Sequence, residues 1–243
     1  MIAPRRLTVV TIALVAMGRA LPAQSADSII AKYVAARGGL DRLHAIQTER
    51  LTGRFSSPGG EGADTVELAR PGRVRTQITF NGQSFIQAYD GSTAWTVNPF
   101  GGSGAPEALP PAAAANVIAG GDFEGALVDY ARKGNRVVLA GTDTADGKPA
   151  WKLVVTLPSG LVDNYYIDAA SFLETKWEGG RTVNDQPVTF ETFFRDYRQV
   201  SGVMFPFRID SDAKGRAGGQ HIILDTITLD VPIPDARFAM PGH

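Results

Sequence analysis

Few side chains in this sequence have the type and spacing that catalysis needs. The three histidines, His44, His221 and His243, lie far apart, and no two have the spacing that sets zinc ligands side by side. Ser103 in "GGSGA" misses the nucleophile-elbow pattern, since Ala105 stands where the second glycine belongs. Glu174, Glu178, Glu191 and Asp196 could face one another across neighbouring strands as a hydrolytic carboxylate pair. Each is interleaved with apolar neighbours at period two, however, which is the pattern of a solvated sheet face. "GGEG" near Gly60 reads as a hairpin tip, because no helix follows it to form a phosphate site. The chain is therefore expected not to be an enzyme and to need neither metal nor cofactor.

One charged residue differs from the rest by its position. In "DTVELARPG", Val66, Leu68 and Arg70 point to one face and Thr65, Glu67 and Ala69 to the other, which puts Arg70 on the apolar side. A guanidinium turned inward needs acceptors, having five N–H donors and a charge it cannot shed. Carbonyls at a helix or loop end could supply them without an ion pair. The alternative is that Arg70, at a strand end before Pro71, extends to water along its apolar stem. In the next strand Val74, Thr76, Ile78 and Phe80 alternate with Arg73, Arg75 and Gln77, and these last three are expected to be solvated.

The elements that must position these residues follow from periodicity. "SADSIIAKYVAARGGLDRLHAI" reads as a helix capped by Ser25 or Asp27, with Ile29, Ile30, Tyr33 and Val34 as its apolar stripe and Gly38-Gly39 as its end, then a short helical turn from Leu40 to Ile46. From Gln47 the period changes to two, and five strand-like runs separated by Gly, Pro and Asn turns reach Asn98. "DFEGALVDYARKG" has helical spacing at Phe123, Leu127 and Tyr130, and seven further strand-like runs then extend to "QHIILDTITLDVPI". A sheet of this size must curl. Runs apolar on both faces, such as "LVV" and "HIIL", require cover on each side.

Composition and the N-terminus restrict the setting. Residues 1–23 place Arg5 and Arg6 before the apolar run Leu7 to Gly18 and small residues, the layout of a secretory signal peptide, so residues 24–243 are expected to form one soluble exported domain. Without the leader's three arginines, 21 basic residues face 25 acidic ones, and no basic block marks a nucleic-acid partner. Absence of cysteine excludes disulfides and a lipid-anchored N-terminus.

"LARPGRVR" followed after a hairpin by "YDGSTAWTVNPF" resembles the LolA/LolB-like superfamily, to which the periplasmic outer-membrane lipoprotein-sorting carriers belong. The matching features are Arg70-Pro71, Asp90-Gly91, Thr93, Trp95 and Asn98-Pro99 in the same order, within residues 26 to 100. The resemblance implies a mainly β (α+β) fold: an unclosed barrel of about eleven antiparallel strands, with an N-terminal helix and a helical lid on the concave side. It also implies an apolar cavity for lipoprotein acyl chains or another lipid, a monomer that exchanges cargo with a membrane-associated donor or acceptor protein, and Arg70 as the latch on the lid. Leu51, Phe55, Val66, Leu68, Val74, Ile78, Phe80 and Trp95 are the candidate wall.

After Asn98-Pro99-Phe100 the chain departs from that pattern with "GGSGAPEALPPAAAANVIAGGDF". Gly101, Gly102 and Gly104 loosen the backbone, Pro110-Pro111 reset it, and the Ala-rich run is expected to form a helical lid. The same fold could instead serve as an envelope sensor or structural module that recognises lipidated protein or glycolipid through a protein partner.

Overall fold

The computed structural model describes residues 24–183, 186–216 and 218–242. The leader-like segment expected at residues 1–23 lies outside them. Thirteen strands form one antiparallel sheet whose order runs β6-β5-β4-β3-β2-β1-β13-β12-β11-β10-β9-β8-β7. Its N-terminal half comprises β1 (Thr48–Ser57), β2 (Gly60–Ala69), β3 (Arg73–Phe80), β4 (Gln83–Tyr89), β5 (Ala94–Val97) and β6 (Glu107–Ala108). The other half comprises β7 (Arg136–Ala145), β8 (Lys148–Thr156), β9 (Val162–Asp168), β10 (Glu174–Val183), β11 (Gln186–Val200), β12 (Val203–Ala213) and β13 (Gln220–Leu229). The two halves join where β13 returns beside β1, and β6 and β7 remain as separate edges, so the barrel is unclosed.

Twelve of these strands coincide with the runs read from the sequence. The thirteenth, β6, is a two-residue strand inside the Gly/Pro stretch, and the expected count of eleven is corrected to thirteen. A pairing of two residues is too short to show a period of two.

Helix α1 (Ala26–Arg37) begins where the Ser25 hydroxyl accepts the Ser28 N–H at 3.1 Å and ends at Gly38, with φ of 124°. A side chain on Gly38 would also meet the Gly202 carbonyl oxygen at 2.4 Å, so only glycine lets α1 approach the β11–β12 turn this closely. Helix α2 (Leu40–Ala45) follows directly, and α3 (Pro111–Ala119) forms in the Ala-rich run as expected. The helix expected over Phe123 to Tyr130 is absent; the segment is a series of turns, with Asp129 at φ of 51°. Its apolar residues are spaced by what they pack against: Phe123, Leu127 and Val128 are buried in the main core although no helix carries them.

Curvature follows from two contacts. Strands β12 and β7 both touch α1, yet they stand five positions apart in the sheet, about 24 Å if it were flat. A helix is only about 10 Å across. The strands must therefore wrap α1, and the main core forms inside this curve from Ile29, Ile30 and Tyr33 of α1, Leu68 and Val74 of the first half, and Leu153, Val155, Ile167, Phe205 and Leu224 of the second.

The outer face is covered at one end. Register places Arg50, Glu67, Arg75, Ala88 and Trp95 in one row across β1 to β5. The segment from Val231 to Phe238 lies over that row, burying Phe238, and the Trp95 indole N–H donates to the Phe238 carbonyl at 2.8 Å. Arg75, expected to be solvated, is only 6% exposed because this segment shields it. Its guanidinium faces the buried Glu67, which also receives Arg237 at 2.7 Å and Arg50 at 3.1 Å. Arg73 pairs with Asp235 and lies 5.3 Å from the Phe238 ring.

Replacing Trp95 by Ala is expected to cost roughly 3–5 kcal/mol in urea unfolding, since it removes both the largest side chain of this layer and a hydrogen bond to the C-terminal segment. A loss below about 1 kcal/mol would mean that the segment is not held there.

Candidate functional site: an apolar cavity on the inner face

Inner-face side chains of the second half leave a cavity of about 990 Å³ beneath α1, the end of α3 and the turns at 122–135. Its apolar wall includes Leu127, Leu157, Tyr165, Trp177 and Phe194, with Ile118 from α3. Trp177 can lie along the sheet because its neighbour on the same face is Gly179, where any side chain would meet the Trp177 ring at 2.2 Å and the Asp163 carboxylate at 2.3 Å. Asp163 in turn is buried and paired with Arg181 at 3.0 Å. Arg181 lies 4.7 Å from the Trp177 ring and so holds that ring from one side.

Two smaller cavities adjoin. One of about 390 Å³ lies between α3 and the inner face of β2 to β4, lined by Val66, Val74, Thr76 and Gln87 below and Ala113, Asn116 and Val117 above. Asn116 and Gly120 border it and the large cavity alike. The other, about 430 Å³, shares Glu174 and Phe194 with the large cavity and opens toward Asp146, Asp168 and Tyr197.

The sequence-derived wall is thus divided. Val66 and Val74 line the smaller cavity under α3, and Leu68 and Leu51 belong to the packed core beside it. Phe55 and Phe80 meet edge to face at 5.8 Å, and Phe80 meets Phe100 in the same way at 5.7 Å, closing the far end of β1 to β3. Ile78 is half-buried on the same face. Trp95 is not part of the wall: it sits on the outer face under Phe238, because its row partners are Ala88 and Arg75. None of the nine candidates lines the large cavity, whose sheet residues come from the second half. The period-two pattern of β8 to β11 was visible there, with Trp151, Trp177 and Phe194 among its inward members.

Arg70 faces inward as its parity predicts. Its Nε donates to the Ile46 carbonyl at 2.7 Å and its Nη2 to the Leu43 carbonyl at 3.1 Å, both where α2 ends. Nη2 also pairs with Glu124, and the guanidinium lies 4.8 Å from the Phe123 ring. The acceptors are therefore carbonyls and a carboxylate together. Burial would raise the Glu124 carboxyl, but Arg70 and Lys133 outweigh it and hold Glu124 below the usual carboxylate range. Gly121 presses against the β2–β3 turn, where a side chain would meet the Gly72 carbonyl oxygen at 2.3 Å. Arg70 and this contact together fix the segment between α3 and β7 to the end of β2.

The acidic residues suspected of hydrolytic chemistry separate. Glu178 and Glu191 are cross-strand partners on the outer face, where Lys176 lies 2.5 Å from the first and 2.6 Å from the second. Burial alone would raise Glu178, but hydrogen bonds from Lys176 and Tyr166 hold it low. A carboxylate tied to an ammonium on a charged face makes a structural ion network. Asp196 pairs with Arg198 at the surface. Among the described residues, no group of three or more His, Asp or Glu is placed to hold a metal ion. Glu174 alone of the four enters the cavity.

No family model matches the sequence, and no curated protein matches it. Solved structures do. A LolA superfamily protein from Nitrosomonas europaea aligns with 89% of this chain and 98% of its own, at 17% identity and a TM-score of 0.57. The chain shares its fold with that protein. An outer membrane lipoprotein-sorting protein domain from Vibrio parahaemolyticus aligns with 88% of this chain and 95% of its own, at 11% identity and a TM-score of 0.56. A DUF1329 family protein from Desulfovibrio piger aligns at 14% identity over 88% and 97% of the two chains, with a TM-score of 0.57. At such identities the likeness is one of fold, and the LolA-like sheet is what they share.

Three inner-face carboxyls are pushed up by burial: Glu174 from 4.5 to about 8, Glu49 from 4.5 to about 7 and Asp64 from 3.8 to about 6. The folded protein keeps protons that the unfolded chain releases above its ordinary carboxyl values. Their contribution to stability is complete below about pH 4 and is lost as pH rises through 6 to 8. The thermal midpoint is therefore expected to fall between pH 5 and pH 8.5, and Glu174→Gln to flatten the upper part of that fall. An unchanged slope in the variant would show that Glu174 ionises as freely when folded as when unfolded.

Proposed function

We propose that this protein is an exported, periplasmic lipid carrier that shields acyl chains in the inner-face cavity. The observation that carries this reading is the cavity itself: about 990 Å³, walled by Leu, Tyr, Trp and Phe on a rigid sheet, and adjoining a second space under α3. Its volume is at the upper end of the range for small-molecule sites. Each methylene moved from water into such a wall is worth about 0.8 kcal/mol, so a chain of a dozen carbons gains enough to bind without any specific contact. The lipoprotein-sorting domain among the similar structures supports an acyl cargo as the kind of ligand.

In this reading α3 is the lid. It rests on β3, β4 and β5 through Val117, while Ile118 is 44% exposed beside the mouth of the large cavity. Arg70 is the latch, because its bonds to the Leu43 and Ile46 carbonyls and to Glu124 fix the segment that follows α3. A latch stabilises the closed, empty form, and ligand must overcome that stabilisation to enter. Cargo leaves to a membrane-associated acceptor that offers a more apolar site.

Native mass spectrometry of protein prepared without detergent from its own envelope tests the reading. The expected result is an added mass that disappears on denaturation and fragments as an acyl lipid or lipopeptide; a bare mass from lipoprotein-rich cells would contradict it. Arg70→Leu is expected to bind acyl ligand several-fold more tightly and to release it more slowly to vesicles, and equal affinity and release would remove the latch. Ligand should also protect residues 101–121 from limited proteolysis.

A further inference from the structure

Glu174 is an inner-face carboxyl that neither packing nor ion pairing explains, and it borders two cavities. It opens β10 opposite Ile167, whose other neighbour is Trp151, so all three share one row on the inner face. Its side chain borders both the large cavity and the 430 Å³ space beyond it, with Phe194 completing the partition. Among the described residues it takes part in no hydrogen bond and no ion pair. Arg37, on α1, is the nearest opposing charge, but it is engaged with the Tyr33 hydroxyl at 2.8 Å and lies outside ion-pair distance of Glu174.

Two further polar groups at this junction share that condition. Tyr165, on the wall of the large cavity, and Tyr197, on the wall of the smaller one, carry hydroxyls with no hydrogen-bond partner among the described residues. Both are half-buried, and desolvation together with the nearby Glu174 raises both hydroxyls above the ordinary tyrosine value. Three polar groups with no partner in the described chain thus border the junction of two cavities, where a polar partner from outside the chain can reach them.

We propose that Glu174, with Tyr165 and Tyr197, forms a polar anchor at the cavity junction for a neutral group that both donates and accepts a hydrogen bond, a hydroxyl or a secondary amide on a long apolar chain. The proposal rests on the carrier reading and narrows its ligand from any acyl chain to one that is polar part-way along or at its inner end. Burial keeps the Glu174 carboxyl protonated near neutral pH, which gives it an O–H to donate and a carbonyl to accept with. The tyrosines act in the same way. Tyr33 and Arg37 face it from α1, Tyr165 and the Asp163–Arg181 pair from β9 and β10, and Tyr197 from β11. Asp163 and Arg181 neutralise each other on the large-cavity side, and Asp146, Lys148, Asp168, Arg195 and Asp196 line the space beyond Glu174.

The test compares 1-dodecanol with tridecane, which has the same number of heavy atoms but no hydroxyl. Each is measured by displacement of the neutral fluorophore N-phenyl-1-naphthylamine from the mature protein and from Glu174→Gln and Glu174→Leu. The parent is expected to prefer the alcohol about tenfold, the worth of one well-made buried hydrogen bond. Glu174→Gln should keep that preference, because an amide also donates and accepts, whereas Glu174→Leu should lose it while binding tridecane at least as well. Equal preference in the parent and in Glu174→Leu, with both ligands bound, would overturn the anchor and leave the carrier intact. Failure of the fluorophore and both ligands to bind a folded parent would overturn both.

Discussion

The constraint on which this structure depends is that one face of a single thirteen-stranded sheet is apolar along most of its length and has few elements to cover it. A sheet that buries one face needs a second layer. Here that layer consists of two short helices near the N-terminus, one nine-residue helix and a run of turns. They suffice to bury Leu68, Val74, Leu153 and Val155, but not the wider surface of β9 to β11, where Tyr165, Trp177 and Phe194 face open space. The cavity is the part of the inner face that the described residues leave uncovered.

The same shortage explains where the charged side chains lie. Arg70 faces inward because the α2 end and the segment after α3 bring carbonyls and a carboxylate to it, and without that guanidinium those groups would be left in a poorly hydrated crevice. On the outer face the corresponding layer is the C-terminal segment, and Glu67 meets Arg50, Arg75 and Arg237 beneath or beside it. Elsewhere outer-face charges pair with one another in the open, as Lys176 does with Glu178 and Glu191. The sheet therefore carries most of its polar networks on its outside and at one inner corner, and on the inner face of β9 and β10 the Asp163–Arg181 pair stands beside the apolar wall.

How far this could be read from sequence depended on which signal each residue carried. Period-two alternation located twelve of the strands and gave Val66, Leu68 and Arg70 their common face, because alternation is a local consequence of strand geometry. Trp95 was misplaced since only three residues separate it from Asp90-Gly91, too few to carry parity across a turn, and its cover is Phe238, far along the chain. Phe123, Leu127 and Tyr130 imitated a helix because turns can present apolar residues at similar intervals; the positive φ of Asp129 rules a helix out but leaves no trace in hydrophobicity. The large cavity was hidden for a deeper reason. Nothing local distinguishes an inward residue that meets a partner from one that meets space, and Trp177 and Phe205 read alike although one borders the cavity and the other is buried in the core.

The central claim is that acyl chains occupy the inner face of β8 to β11. The protein's three tryptophans make that claim directly measurable, since their indole N–H signals report on different places: Trp177 on the cavity wall, Trp151 in the core behind it and Trp95 on the outer face. Titration of isotopically labelled protein with a spin-labelled stearate should broaden the Trp177 signal first, Trp151 less, and leave Trp95 sharp. Broadening of Trp95 with Trp177 unchanged, or no broadening of any indole, would contradict the account.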